Sequence, residues 1–439
     1  MEEAGHPNFN WYRGTVTATT MTASRGAGPQ TGRHATLFSA YFWLLLFITL
    51  YFLRPEDWIP GLAVIPIEKV TGFLALMGFG FGMLAAGQQF LRMPRETFYL
   101  ILLFGQFCLT IPFAIWRGGA FRVVFFVIAK VVLIAVATSL VVNTWPQLRR
   151  LVFVQACAAP VLAAAALVRH RLDKEGRLMG VGNNFANAND FAFLMALTFP
   201  LCIALMLSTR NPLAKAAWVL GMVIMGVALT LTGSRMAVLT MAVSMGVCLW
   251  QFGLKGRRPY LVFLAALVAL GVAGLAGRRL IERLASTFTA RDISAYESTE
   301  LRKETLKKSL LIAAQHPLFG VGPGNFQVVS GVWREAHNSF TEVAAEAGFP
   351  ALILFLMILR RGFVNLREVK RLSDGQTEKV VLAGALQASL ATFMVGGLFS
   401  TWEYQYVPYL LVAYSTAFYQ IAAAEPPPEL KATWRPRQR

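Results

Sequence analysis

Five histidines occur in the 439 residues, His6, His34, His170, His316 and His337, and one of them stands in unusual company. His337 lies in Arg334-Glu335-Ala336-His337-Asn338-Ser339 and is expected to begin a helix that runs toward the next apolar stretch, with Thr341 one turn on. An imidazole changes charge near neutral pH, which suits it to take a proton from a hydroxyl. A surface histidine closing a turn is the other reading of the same spacing. Upstream, Arg302 and Lys303 fall in the first turn of an expected helix over about 300–314, with Ser298 and Thr299 as N-cap candidates and Leu301, Thr305/Leu306 and Leu310 as its apolar stripe. Cations there oppose the helix dipole, so they suit an external anion better than they suit the helix. Arg235 ends Thr232-Gly233-Ser234-Arg235 at the junction of two apolar runs. It could snorkel to lipid headgroups or bind a phosphate bidentately. Arg169, Arg171 and Arg177 occupy a neighbouring loop and either extend a basic site or lie on a solvated surface. Between Arg302 and His337, the stretch His316-Pro317-Leu318-Phe319-Gly320-Val321-Gly322-Pro323-Gly324-Asn325-Phe326 has glycines at alternate positions. This is a weak phosphate-loop signal, since no Lys-Ser/Thr follows; a tight turn seating the loop on its surroundings explains it equally well.

The elements that must position these residues are apolar. Hydrophobic residues make up 56% of the chain and charged residues 15%, with a mean hydropathy of +0.53. That composition excludes a water-soluble globular enzyme and a large disordered chain. Apolar windows of membrane-spanning length recur at 37–53, 66–86, 97–115, 121–142, 151–168, 190–208, 213–231, 236–253, 260–277, 343–360, 380–399 and 407–424. The expectation is an all-α polytopic integral membrane protein of about twelve transmembrane helices, with a helical loop domain on the outer face at 278–342. Residues 1–36 and 425–439 read as cytoplasmic tails, 37–277 as helices one to nine and 343–424 as ten to twelve. Lys130, inside the fourth window, reads as buried, either structural or lining a cavity. Cys108, Cys157, Cys202 and Cys248 all sit in apolar runs and read as small core residues, with no disulfide or zinc framework.

Lys and Arg total 41 against 23 Asp and Glu, a net charge of +18. About half of the basic residues fall in loops and tails assigned to the cytoplasm, as the positive-inside rule expects. Most of the remainder lies on the opposite face and gathers around His337. An outer anion, rather than nucleic acid, accounts for that surplus.

The order Thr232-Gly233-Ser234-Arg235, then Arg302, then His316 to Phe326, then His337-Asn338-Ser339-Phe340-Thr341-Glu342-Val343-Ala344-Ala345-Glu346-Ala347-Gly348-Phe349-Pro350 resembles the O-antigen ligase and polymerase superfamily of bacterial envelope proteins. The resemblance runs over roughly 175–400. It departs at Leu306, where the family commonly has an aromatic residue. The segment Leu53-Arg54-Pro55-Glu56-Asp57-Trp58 is similar to a branch associated with protein sorting or O-glycosylation.

The resemblance implies a GT-C-like inverting glycosyltransferase in the bacterial inner membrane. Such an enzyme takes glycan from undecaprenyl diphosphate on the periplasmic face and passes it to a sugar hydroxyl of lipid A–core. His337 matches the family's catalytic histidine, and Arg235 and Arg302 match its diphosphate-binding arginines. Arg334, Asn338, Arg169, Arg171 and Arg177 are then candidate donor or acceptor contacts. No cofactor or metal is expected, because guanidinium groups can stabilise a departing diphosphate without one. No Asp-x-Asp or His-Glu-x-x-His pattern stands on the outer face. The alternatives are a polymerase of repeat units, a protein O-glycosylation ligase, a lipid or solute transporter, or a non-enzymatic scaffold of envelope assembly. A transporter would place its polar residues at mid-membrane in broken helices, whereas here they sit on the outer rim.

Overall fold

The computed structural model describes residues 40–59, 61–62, 67–86, 93–181, 185–256, 258 and 293–425. The expected span at 260–277, both tails and the loop segment 278–292 lie outside the described residues. Every described element longer than a single bridge is helical. The helices are α1 (Ala40–Leu53), α2 (Ile67–Ala86), α3 (Arg95–Phe113), α4 (Arg117–Val141), α5 (Trp145–Arg169), α6 (Ala188–Ser208), α7 (Pro212–Leu231), α8 (Arg235–Leu254), α9 (Ile293–Gln315), α10 (Ser339–Leu372), α11 (Thr377–Gly396) and α12 (Tyr406–Ala424). Nine of these, α3 to α8 and α10 to α12, are long and apolar enough to cross a membrane among the described residues. The chain is an all-α polytopic membrane protein. α1 and α2 fill the first two expected windows and pack against each other.

Local sequence sets the helix boundaries. Asn187, Asn211 and Ser234 cap α6, α7 and α8 with side-chain oxygens that accept backbone N–H bonds. Thr144 and Gln147 form a reciprocal capping box on α5. α10 runs on to Leu372, well beyond the expected end at 360, and is broken at Gly348 (φ 79°, ψ 173°) two residues ahead of Pro350. A Cβ at Gly348 would lie 2.4 Å from the Leu318 carbonyl oxygen, so glycine is required there.

Hydrogen bonds join the helix ends into two opposed layers. In one layer Leu178 N–H donates to the Leu231 carbonyl (3.0 Å) and Ile115 N–H to the Val321 carbonyl (3.1 Å). Ser339 N–H bridges to the Gly397 and Ser400 carbonyls, and the Trp402 indole donates to Asp190 (2.8 Å). In the other layer Arg361 pairs with Glu96 (2.6 Å), Arg149 with Glu378 (2.6 Å) and Lys379 with Glu425. The central helices α6, α11 and α12 are the most enclosed, with Phe193, Phe393, Trp402 and Tyr414 fully buried. Cys202 and Cys248 are buried, Cys108 and Cys157 half-buried, and all four are free thiols.

Two expectations are corrected. Lys130 is not buried: it is exposed on α4, within electrostatic range of Glu68 on α2. Hydropathy reports that a residue lies within an apolar run, but not which way its side chain turns. α9 begins at Ile293 rather than near 300, and its buried stripe is Thr305, Ser309, Ile312 and Ala313. Leu306 and Leu310 face outward, 37% and 54% exposed. Small hydroxyl residues face inward because their oxygens are satisfied there: Thr305 Oγ1 lies 3.3 Å from the Ala336 carbonyl and Ser309 Oγ bonds Thr341 Oγ1 (2.9 Å). The close approach that this permits leaves no room for leucine.

Candidate active site

The layer that carries α8's N-terminus also holds His337. α9 lies against the start of α10, and a small core of Ile312, Ala313, Val321, Phe326, Ala336, Ala344 and Ala345 fixes this outer segment to the bundle. His337 does not begin the helix. It precedes the Asn338 N-cap and adopts a left-handed backbone (φ 54°). Such a conformation is uncommon for a residue other than glycine and needs outside support. The support comes from three elements. His337 N–H donates to Thr401 Oγ1 (3.1 Å), Thr401 Oγ1 donates to Glu342 Oε2 (3.0 Å), and Ala336 N–H donates to the same Glu342 oxygen (2.9 Å). α9 closes the third side through Thr305.

Arg302 stands one turn before Thr305 and is thereby carried to His337. It is half-buried, and burial followed by the charges of Arg235 and Arg177 lowers its pKa. It forms no ion pair with a described residue. Arg235 occupies the first position of α8, where Ser234 Oγ already accepts the Ala237 N–H (3.3 Å). Arg177 comes from a short hairpin bridged at Leu172 and Leu178, and pairs with Asp173 (2.7 Å) and Glu175 (3.3 Å). The bond from Leu178 to Leu231 holds that hairpin beside Arg235. Arg334 is exposed and within electrostatic range of His337. The structure therefore gathers Arg177, Arg235, Arg302, Arg334 and His337 from four separate stretches of chain. Arg169 and Arg171 are exposed, and Arg169 Nη1 lies 3.5 Å from the Asp57 carbonyl, toward α1 and α2. Asn338 is buried and its Oδ1 accepts from Phe340 and Thr341 N–H (3.0 and 3.1 Å) as the cap of α10.

Burial, then Arg302, then Arg334 hold the His337 imidazole down at about 4, against an ordinary 6.5. At neutral pH it is uncharged and able to accept a proton. The surrounding cations favour an anion, and an anion placed among them would raise the basicity of His337.

The glycine-rich loop does not present open amides. Gly320, Gly322 and Gly324 all have positive φ (63°, 97° and 76°), and Val321 and Gly322 N–H donate to the Ala345 and Glu346 carbonyls (2.9 Å each). Gly324 and Phe326 N–H donate to the Glu346 carboxylate (2.8 and 3.0 Å), which also accepts from the Tyr404 hydroxyl. The chain's own carboxylate occupies the cradle that a phosphate loop would offer to a ligand. The tight-turn reading is the one that matches this geometry.

Residues 397–405 contribute groups that sequence reasoning did not single out. Thr401 clamps His337, Trp402 and Ser400 bind Asp190, and Glu403 is fully buried with neither carboxylate oxygen hydrogen-bonded. Burial, reinforced by Glu342, pushes the Glu403 carboxyl well above the usual carboxylate range. The available signal was a polar run, Ser400-Thr401-Trp402-Glu403-Tyr404-Gln405, between two apolar windows. Among the described residues, no three His, Cys, Asp or Glu side chains converge in a way that could hold a metal ion.

No curated protein matches the chain. Residues 220–356 match the family described as O-Antigen ligase, a stretch that runs from α7 into α10 and includes Arg235, Arg302, Arg334, His337 and Glu342. Thr401 and the Arg177 hairpin lie outside it. Over that segment, about a third of its length, the chain is similar to the O-antigen ligase family.

Proposed function

We propose that the protein is a GT-C-like inverting glycosyltransferase, an O-antigen ligase that moves a glycan from undecaprenyl diphosphate to lipid A–core at the periplasmic face of the bacterial inner membrane. The observation that carries this reading is a neutral, backbone-clamped His337 beside Arg302, which itself lies within electrostatic range of Arg235. The 278–342 segment is then the periplasmic catalytic loop, and the two tails face the cytoplasm. The outward placement follows from the distribution of basic residues between the two ends of the chain's apolar windows.

In this reading Arg235 and Arg302 hold the donor diphosphate, and their charge stabilises the departing oxygen as the C1–O bond lengthens. Arg302 lies within electrostatic range of Arg235 and Arg177, and a diphosphate set among these guanidinium groups would be stabilised by them. His337 removes the proton from the acceptor hydroxyl as its oxygen attacks C1 from the face opposite the diphosphate. Inversion at C1 follows. Arg177 and Arg334 flank the site and meet phosphates of donor or acceptor. Arg169 and Arg171 lie farther along the same rim, and Asn338 acts through the backbone that it caps. The reaction needs no metal, since the guanidinium groups supply the charge.

The test is transfer by the purified protein in detergent, given lipid-linked glycan and lipid A–core, with and without chelator. The expected result is glycosylated lipid A–core that is insensitive to chelation and lost in His337→Ala by about 100-fold or more. Transfer that persists in His337→Ala removes the assigned base. Loss on chelation removes the metal-free mechanism, and lengthened lipid-linked chains without acceptor modification identify a polymerase.

A further inference from the structure

At the end of the bundle opposite His337, three helices leave a second charged cavity. α8 finishes there in a π-helical turn, Leu249–Leu254, a distortion that often marks a functional site. α10 runs past it to Leu372, and α11 starts beside it at Thr377. The cavity measures about 720 Å³, and its wall carries Lys255, Arg258, Arg367 and Lys370 against the single carboxylate of Asp374. The half-buried Lys370 ammonium is held by neutral groups, the Oε1 atoms of Gln251 and Gln387, the latter at 2.6 Å. None of the four cations ion-pairs with a described residue. The Lys255 ammonium lies 5.6 Å above the Trp250 ring. α11 points its N-terminus at the same space: Thr377 lines the cavity, and Gln376 provides no side-chain cap. Among the described residues, four Lys and Arg side chains and a positive helix end face this space against one acid.

A second cavity of about 300 Å³ continues from the first, because Phe363 and Arg367 line both. Its wall is otherwise Leu356, Leu359, Val364 and Met394, with Arg360 at its edge. It follows α10 toward the middle of the span. A charged mouth thus opens into an apolar groove on one helix face.

We propose that this paired cavity binds one anionic phospholipid, with the headgroup phosphate on Arg367, Lys370 and Lys255 and an acyl chain along Phe363, Leu359 and Met394. The site rests on the membrane embedding of the chain and not on the transfer reaction. A protein that binds the lipid but moves no glycan leaves this inference standing and removes the proposed reaction; the converse result does the reverse.

The experiment is native mass spectrometry of the full-length chain in detergent, titrated with phosphatidylglycerol, phosphatidylcholine or inorganic phosphate. One phosphatidylglycerol is retained per chain in preference to phosphatidylcholine, and Arg367→Gln/Lys370→Gln weakens it by about thirtyfold. Met394→Trp, which fills the groove without changing charge, weakens the lipid but not inorganic phosphate. If the double variant does not fold, Arg367→Gln alone, an exposed side chain, weakens phosphatidylglycerol by about fivefold. Equal retention of the two lipids, or undiminished phosphatidylglycerol binding in the charge variants, overturns the proposal. Displacement of phosphatidylglycerol by inorganic phosphate equally from wild type and Met394→Trp shows a free-anion site and overturns the lipid assignment.

Discussion

Replacing Arg302 with Gln tests whether the site works by electrostatic design. In the native protein the His337 imidazole is held at about 4 rather than 6.5, a penalty of roughly 3 kcal/mol on the imidazolium. Burial is the largest cause and Arg302 the second, ahead of Arg334. Arg302 therefore accounts for less than half of the displacement. Arg302→Gln should raise the protonation midpoint to between about 4 and 6.5, and never to the full ordinary value, because burial remains. Inorganic pyrophosphate added to the wild type should move the midpoint the same way, by setting negative charge beside the arginines. The assay is acylation of His337 by diethyl pyrocarbonate, which requires the neutral imidazole, followed by peptide mass spectrometry across pH. The sign for stability follows. The folded protein holds this proton less tightly than the unfolded chain, so His337 costs nothing above about 6.5. It destabilises the fold progressively as pH falls toward 4. A wild-type midpoint near 6.5, or one unmoved by Arg302→Gln, refutes the reasoning.

Three further outcomes follow. Thr401→Val removes both the acceptor for His337 N–H and the donor to Glu342; kcat for glycan transfer should fall about tenfold or more with KM little changed, and Thr401→Ser should restore it. Gly322→Ala would put a Cβ 2.3 Å from Ala114 Cβ at a φ of 97°, and should lower stability by roughly 1–3 kcal/mol in thermal unfolding. Gly331→Ala, at φ 69° with nothing within 4 Å, should cost clearly less. Glu346→Gln presents a neutral group to the Gly324 and Phe326 N–H donors and the Tyr404 hydroxyl, costing roughly 1.5–3 kcal/mol. Hydrogen exchange at Gly324 and Phe326 should accelerate, and unchanged protection there would show that the carboxylate does not hold the loop.

The sequence by itself determined that this is a helical membrane protein, because apolar runs of spanning length have no other stable form in lipid. It also singled out His337, Arg235 and Arg302, because scarce polar residue types at the rims of apolar windows are visible without coordinates. Side-chain direction was decided only by tertiary packing. Lys130 faces outward, and of its expected stripe α9 buries Thr305 but turns Leu306 and Leu310 out in favour of Ser309, because both hydroxyls find partners at the start of the α10 segment. The same holds for His337. Its place beside Arg302 depends on α9 packing through Thr305 against the Ala336 carbonyl. Its backbone conformation depends on Thr401, 64 residues away in the chain. The glycine-rich loop shows the limit most directly, since its spacing suits a phosphate and Glu346 fills it. Local sequence states which groups a segment can offer. Which partner takes them depends on the elements that the fold brings within about 3 Å.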